Sequence, residues 1–307
     1  MRIMNKIYYL FLSMTVILLA ACSQEEVEQV KEDTPALLKV MVNQSAQPST
    51  RASIKKFTTT FEAGDTIGLF AVDEGSDQLI YINVPYTYNG TTWEVSDPEQ
   101  KVYFSENFKY FAYYPYQKKI EDKIPFKEEE TTSHEENGTD YWHYLIDTTT
   151  STDAPYFFEE LISRWEPQIY QNTKENFNAS DLMVGAGTKN NENASVSFTM
   201  NHQMGLIRID VYDVIDPQDN KYELHTLSSN QDYSNWFPEN PPYNNGNGQY
   251  LYYIAKPSDQ ELFTFKTAVN AFALYDLQGN QTDVSSNDTY VYEGVVSDLS
   301  FYIKTMN

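Results

Sequence analysis

The residue whose chemistry is most distinctive is Cys22, the only cysteine in 307 residues. It follows residues 7–21, which are almost wholly apolar, and Arg2 and Lys6 place positive charge ahead of that run. A positive start, an apolar run and small residues are the layout of an export signal. The run is about fifteen residues long, short of the roughly twenty that a membrane-spanning helix needs. Without a second cysteine, Cys22 has no disulfide partner in the chain, so its thiol is available for another bond.

The four residues Leu19, Ala20, Ala21 and Cys22 look like the lipobox of bacterial lipoproteins. In a lipobox the cysteine thiol is joined to a diacylglycerol and the chain is cut just before it. The alternative is an ordinary signal peptide, residues 1–21, with an incidental cysteine. Lipidation is favoured, because the single cysteine stands where lipidation needs it. Two or more acyl chains then give a stable anchor, since each buried CH₂ contributes about 0.8 kcal/mol.

Residues 22–36 are polar and acidic, which predicts a lipidated tether ahead of the folded part. Its first residues resemble the export tether that sends lipoproteins of the Bacteroides group to the outer face of the outer membrane: Ser23, Gln24, Glu25 and Glu26. A solvated linker is the other interpretation, and both can hold. Surface display is favoured over the periplasmic face.

The rest of the chain lacks the spacing of common catalytic motifs, with no HExxH, no P-loop and no GxSxG. Gly185 and Gly187 lack the third glycine of a dinucleotide-binding loop. The many acids could include a glycosidase pair, but their spacing does not single one out. His202 is interpreted as a structural histidine beside the core rather than a ligand. We predict that the chain is not an enzyme and has no metal and no cofactor.

The formal net charge is −23 at pH 7. Phosphate backbones repel so acidic a chain, so nucleic acid is not expected as a partner. The charge suits a protein that stays soluble outside a cell. Without a disulfide scaffold, stability must come from core burial, and 25 Tyr, 17 Phe and 4 Trp provide the apolar surface.

Alternation of apolar and polar residues predicts many short strands. The pattern begins with Leu38, Val40 and Val42, and the clearest hairpin is residues 81–95, with a type I′ turn predicted at Asn89-Gly90. One short helix is predicted within residues 156–166.

Short strands with frequent turn signals are typical of β-sandwiches, so the predicted fold class is all-β. A break at residues 216–220 predicts two domains. These are an N-terminal β-sandwich, residues 37–215, and a smaller C-terminal β-sandwich, residues 216–307.

Five segments occur in an informative order: "FEAGDTIGLFAV", "YTYNGTTWEV", "FKYFAYYPY", "DLMVGAGT" and "VSFTMNHQMGLIRIDV". Together with the lipobox they resemble the fimbrillin-like lipoproteins of Bacteroidales, which include the Mfa-like proteins and the subunits of type V pili. The resemblance covers residues 37–215 well and the C-terminal part weakly. It implies two tandem transthyretin-like β-sandwich domains.

The resemblance also implies assembly of a pilus by strand exchange. An arginine-specific protease removes the lipidated segment with the first strand, and a strand of the next subunit takes its place by β-strand addition. Arg51, followed by Ala52, matches the cut position, with an ordinary surface arginine as the alternative. The released strand would be the one that contains Leu38, Val40 and Val42.

A donor strand could come from the C-terminus, where Phe301 and Ile303 alternate with polar residues. An ordinary last strand of the second domain explains the same pattern. The part after Val211 is short and matches the family weakly, so a tip, accessory or anchor role stands beside that of a stalk subunit. An anchor keeps its lipid and needs no cut.

The alternative function is a monomeric surface lipoprotein that binds host or bacterial glycans or proteins. Trp236, Phe237 and Tyr243 are the candidates for ligand contacts, because aromatic side chains in loops make contacts at low entropic cost. The predicted partners are other pilus subunits, the outer membrane through the lipid on Cys22, and such surface ligands. The predicted location is the outer membrane or a fimbrium.

Overall fold

The computed structural model describes residues 35–44, 60–118, 142–149, 152–216, 221–224, 226–228, 231–235, 237, 239–246, 251–256, 263–267, 271–275, 290–294 and 302–306. Fifteen strands and four short helices lie in these ranges. The helices are α1 (Trp142–Leu145), α2 (Ala154–Phe157), α3 (Glu159–Arg164) and α4 (Lys174–Ser180). The fold is therefore mostly β.

The first seven strands close into a barrel in the order β1-β4-β3-β2-β5-β6-β7. Six neighbouring pairs are antiparallel, and the closing pair of β1 with β7 is parallel. The bounds are β1 (Lys39–Gln44), β2 (Thr66–Asp73), β3 (Leu79–Tyr88), β4 (Trp93–Val95), β5 (Phe108–Tyr114), β6 (Met183–Asn190) and β7 (Ser195–His202).

Strands β2 and β5 have apolar side chains on both faces, which is why they appear as nearly continuous apolar runs. In β2, Ile67 and Leu69 lie in the cluster that the barrel encloses, while Phe70 and Val72 lie in a second cluster on the outer face. These two strands therefore separate an inner and an outer core.

The outer core is covered by the segment that contains the four helices. Phe157 stacks on Phe111 of β5, with ring centroids 3.9 Å apart, and Leu161 and Trp165 are fully buried beside it. The predicted helix within 156–166 is thus confirmed in place, although it forms as α2 and α3 rather than as one helix.

A glutamine connects this segment to the second sheet. Gln171 is fully buried, its Nε2 donates to the carbonyl oxygen of Ile254 at 2.7 Å, and its Oε1 accepts from the Ile254 amide at 2.7 Å. Both polar ends of the side chain are therefore satisfied, as burial requires.

The second sheet has the order β10-β11-β8-β15-β13, with β9 paired to β8, and β12 pairs with β14 separately. The bounds are β8 (Gly205–Asp216), β9 (Lys221–Leu224), β10 (Tyr243–Asn244), β11 (Leu251–Ala255), β12 (Phe263–Thr267), β13 (Ala271–Tyr275), β14 (Tyr290–Gly294) and β15 (Tyr302–Met306). Strand β8 belongs to this sheet, so the sheets divide before Gly205, ahead of the predicted boundary at 216.

Candidate functional site

Strand β1 has one continuous partner. Six of its residues, from Lys39 opposite Ser195 to Gln44 opposite Met200, pair with β7, whereas only Val40 pairs with β4, opposite Trp93. Just before β1, the Leu38 amide donates to the carbonyl oxygen of Val102 at 2.9 Å. The edge of β1 that faces β4 is therefore sparsely paired.

Side chains of this first strand alternate between core and surface, as its sequence predicts. Leu38 and Val40 are buried in the inner core and Val42 packs against it. On the other face, Leu37 is 55% exposed and Met41 is 46% exposed. The predicted strand is confirmed, and its release stays a prediction.

A cavity of about 540 Å³ lies where β1 and β4 separate. Trp93 and Val95 of β4 line it together with Val102 and the exposed residues Leu37 and Met41. The other lining residues are Leu38, Lys39, Val40, Tyr86, Thr92, Glu94, Pro98, Gln100, Lys101, Asn193 and Ser195. Burial raises the pKa of the Tyr86 phenol, so this side chain stays neutral.

Residues 60–65 pack against the same end of the barrel. The Phe61 ring meets Trp93 and Tyr114 edge-on, with centroids 5.1 and 5.4 Å away. The Gly64 amide donates to Tyr88 O at 2.8 Å, and Tyr88 N donates to Asp65 O at 2.8 Å. Residues 45–59, which contain Arg51, therefore connect β1 to a segment that has its own attachment.

The carboxylate of Asp65 fixes this attachment. Its Oδ1 accepts from the Tyr114 hydroxyl at 3.1 Å, and its Oδ2 accepts from the amide of Glu62 at 2.7 Å. Burial and the nearby Asp65 charge raise the pKa of Tyr114, so the phenol remains a donor at neutral pH. Glu62 forms an ion pair with Lys174 of α4.

His202 is a structural residue, as predicted. Its Nδ1 lies 2.8 Å from Oδ1 of Asp181, and the two side chains are 4% and 6% exposed. Burial alone would lower the pKa of His202, but attraction to the Asp181 carboxylate and the hydrogen bond outweigh it, and the net pKa is raised. The pair joins the end of β7 to the end of α4.

Gly68 of the "IGLF" segment lies against Tyr113 of the "YYPY" segment, and the close contact explains why residue 68 is a glycine. A Cβ on Gly68 would lie 2.2 Å from the Tyr113 ring and 2.4 Å from Oδ1 of Asn83. The Tyr113 hydroxyl donates to that Oδ1 at 3.0 Å, and the amide of Gln117 donates to the hydroxyl at 3.0 Å. The "IGLF" and "YYPY" segments are thus packed against each other.

Many predicted site residues lie outside the described residues. These are the lipobox, the export tether, the candidate cut at Arg51 and Ala52, Trp236 and Phe301.

The candidate ligand contacts are not gathered on one surface. Phe237 is fully buried, so the interpretation of its ring as a surface contact is wrong. Tyr243 lies in β10, half-buried, and its ring stacks on Phe177 at 4.8 Å. Both rings contribute to packing.

The candidate donor strand lies within its own sheet. Ile303 of β15 is opposite Ile209 of β8 on one side and Leu274 of β13 on the other. This arrangement matches the alternative interpretation, in which the last strand completes the second sheet.

Sequence reasoning missed Phe61 and the cavity beside Trp93. Phe61 begins the "FEAGD" segment, which predicted a turn before β2. An aromatic residue at the start of that turn was the available signal for the contact with Trp93. Nothing in the local sequence around Trp93 indicated a cavity, because its walls come from three separate segments, within residues 37–41, 86–102 and 193–195.

Within the described ranges, no three His, Cys, Asp or Glu side chains group as a metal ion would require. In the same part of the chain, no helix has the length and apolar content needed to cross a membrane.

The model of the fimbrillin-like family matches residues 50–235, more than half of the chain. The chain belongs to the fimbrillin-like family. One relative is a candidate fimbrium tip subunit, Fim1C of Bacteroides ovatus, which is 29% identical over 198 residues. That match covers 61% of this chain and 31% of the relative, so this fimbrillin-like chain spans about a third of the relative's length.

Two solved structures match the chain at low sequence identity. A fimbrial protein from Bacteroides ovatus gives a TM-score of 0.48 at 18% identity, over 89% of this chain and 49% of that one. A candidate cell adhesion protein from the same species gives a TM-score of 0.46 at 14% identity, over 89% of this chain and 92% of that one.

Proposed function

We propose that this fimbrillin-like chain is a structural or adhesive subunit of a fimbrium, and that it joins a neighbouring subunit by exchange of β1. The attachment of β1 is the observation that supports this proposal. The strand is N-terminal to the rest of the barrel, it has one continuous partner, and residues 60–65 are held independently of it. Its removal would therefore leave the other six strands connected.

A barrel without β1 would have an open groove. Its floor would contain the apolar residues that Leu38 and Val40 now cover, among them Val196 and Phe198 of β7, which are fully buried. The groove edge would present the unpaired main chain of β7. An extended strand from another subunit restores both kinds of contact, which is β-strand addition.

The route to the surface is part of the same proposal. The signal peptide is removed, the thiol of Cys22 receives its lipid, and the acidic tether directs the protein to the outer face of the outer membrane. The fimbrium is then built at the cell surface. The lipobox and tether sequences support this route.

The chain has four arginines, and only Arg51 suits a specific cut among those that follow the signal peptide. Arg164 lies in α3 and forms an ion pair with Glu160. Arg208 lies in β8, between Tyr252 of β11 and Tyr302 of β15. A protease needs an extended, accessible backbone, which a helix or a central strand does not offer.

The position of β15 supports a terminal place in the fibre. A subunit that donates its last strand would have to remove β15 from between β8 and β13. An end subunit that accepts a strand and donates none can keep it there. We therefore favour a tip role over a stalk role, with an uncut anchor as the alternative.

We keep the two tandem transthyretin-like β-sandwich domains as a proposal that rests on the resemblance. Strands β1–β7 form one sheet, and β8–β11, β13 and β15 form another. The closed seven-stranded barrel is a departure from an open sandwich.

Substitution of Arg51 by Ala tests the proposal in cells that display the protein. We expect wild-type chains to begin at Ala52 and to run in SDS-resistant complexes, and the variant to begin at acylated Cys22 and stay monomeric. Arg164→Ala is the matched control and should behave as wild type. Complexes of normal size formed by uncut Arg51→Ala protein would contradict the proposal.

A further inference from the structure

The cavity beside β1 is open while the strand is still in place. It lies next to the single pair of β1 with β4, and Leu37 and Met41 on its rim are about half exposed. The cavity therefore offers apolar surface before any strand has left. If β1 and β4 were paired along their whole length, this apolar surface would be covered.

We propose that this cavity is where the replacing strand first binds, before β1 leaves. This inference rests on the proposed function. The occupant is an extended segment of a second subunit with apolar side chains at alternate positions. From here it displaces β1 one residue pair at a time.

The size and lining of the cavity support this occupant. A volume of about 540 Å³ is within the range of pockets that enclose small-molecule ligands, so apolar side chains can enter it. Trp93, Val95 and Val102 provide an apolar wall. Side chains of a strand alternate, so one face of an incoming segment would enter the cavity while the other faces solvent.

The rim of the cavity has two positive side chains and one negative side chain. Lys39 and Lys101 line the cavity, and neither has an ion-pair partner in the part of the chain that the structure describes. Glu94 is the one acid in the lining.

The kinetic benefit follows from the pairing of β1. If β1 had to leave first, all six pairs with β7 and the burial of Leu38 and Val40 would be lost before anything replaced them. A segment already bound in the cavity is at high local concentration, so each pair that opens can be replaced at once.

The test measures the rate at which a labelled peptide enters the barrel. The full chain is cut at Arg51 with an arginine-specific protease, which leaves β1 bound, and a fluorescent peptide with the sequence of residues 36–44 is added. Fluorescence anisotropy gives the rate of incorporation, and native mass spectrometry shows the loss of the original strand. The β1 sequence is the probe because its register in the groove is known.

Val95→Trp fills the cavity from β4, and Ile80→Trp is the matched control, because Ile80 is 42% exposed and does not line the cavity. We expect Val95→Trp to slow incorporation by about ten- to a hundredfold, as the loss of one bound apolar side chain would. The control should incorporate the peptide at the wild-type rate. If Val95→Trp lowers the denaturation midpoint, the cavity is filled instead by Gln100→Trp, because Gln100 also lines it.

The outcomes separate the inference from the proposed function. Equal rates in the wild type and in both filled variants would overturn the binding role of the cavity and leave strand exchange intact. No incorporation into cut wild-type protein would overturn strand exchange, and the inference with it.

Discussion

At the scale of single residues, Val40 is the centre of the β1 attachment. It is paired on both sides, with Val196 of β7 and Trp93 of β4, and its side chain is 6% exposed. The neighbouring positions Met41 and Asn43 face solvent. The strength with which β1 is held therefore depends on few side chains.

We predict that Val40→Ala lowers the free energy of unfolding of the uncut protein by about 1.5–2.5 kcal/mol, because two buried methyl groups are lost and a hole is left. Asn43→Ala on the same strand should change it by less than about 0.5 kcal/mol. Urea denaturation measures both. Equal effects at the two positions would mean that β1 does not bury its alternate side chains.

The His202–Asp181 pair predicts a pH dependence of stability. The folded-state pKa of His202 is raised above 6.5, so the stabilisation is fully present below pH 6.5 and is lost as pH rises through the folded-state pKa. The advantage of wild type over His202→Gln should therefore decrease as pH rises from 6 towards 8.5. In Asp181→Asn, the burial that lowers the pKa is unopposed, and the trend should reverse. A constant difference across this range would show that the histidine does not titrate in the pair.

At the scale of elements, the contact of β2 with β5 depends on Gly68. Gly68→Ala would place a methyl group 2.2 Å from a carbon of the Tyr113 ring, so we predict a loss of about 1–3 kcal/mol in the free energy of unfolding. Gly75→Ala is the control. A Cβ at this position would have Oδ1 of Asp73 as its nearest neighbour, at 3.4 Å, and the φ of Gly75 is not positive. Thermal or urea denaturation separates the two variants. A tolerated alanine at residue 68 would show that the ring can move aside.

The sequence could predict the elements whose signal is local. The alternation of Leu38, Val40 and Val42 correctly predicts an N-terminal strand, and the hairpin at residues 81–95 forms as β3 and β4. The turn between them differs from the prediction. Of Asn89 and Gly90 only Gly90 has a positive φ, 96°, and the Asn89 side chain closes the loop by accepting from the amides of Thr91 and Thr92. Because a type I′ turn needs a positive φ at both central residues, the prediction of that turn type is wrong.

The pairing of β1 could not be predicted, because it is not local. The partner β7 lies more than 150 residues along the chain, and its parallel orientation depends on how five other strands close the barrel. The cavity depends in turn on the shortness of β4, three residues, and on the course of the segment after it. The burial of Phe237 likewise arises from tertiary packing that its polar surroundings do not indicate.

At the scale of the whole molecule, the proposed function requires that β1 is held in place until another strand replaces it. Two features support the exchange of β1. The strand is paired continuously with β7 alone, and residues 60–65 are held separately through Phe61 and Asp65. In the second sheet, β15 lies between β8 and β13, which agrees with the end position proposed above.

The most direct measurement is the assembly of a variant in which β1 is locked to β7. Met41 and Ser197 are opposite each other in the parallel pair, and Met41 is exposed, so Met41→Cys with Ser197→Cys can form a disulfide across the two strands. Each single substitution is a control that cannot lock. We predict that the oxidised double variant gives no SDS-resistant complexes and that reductant restores them. Complexes of normal size from protein whose disulfide is verified by mass would contradict strand exchange at β1.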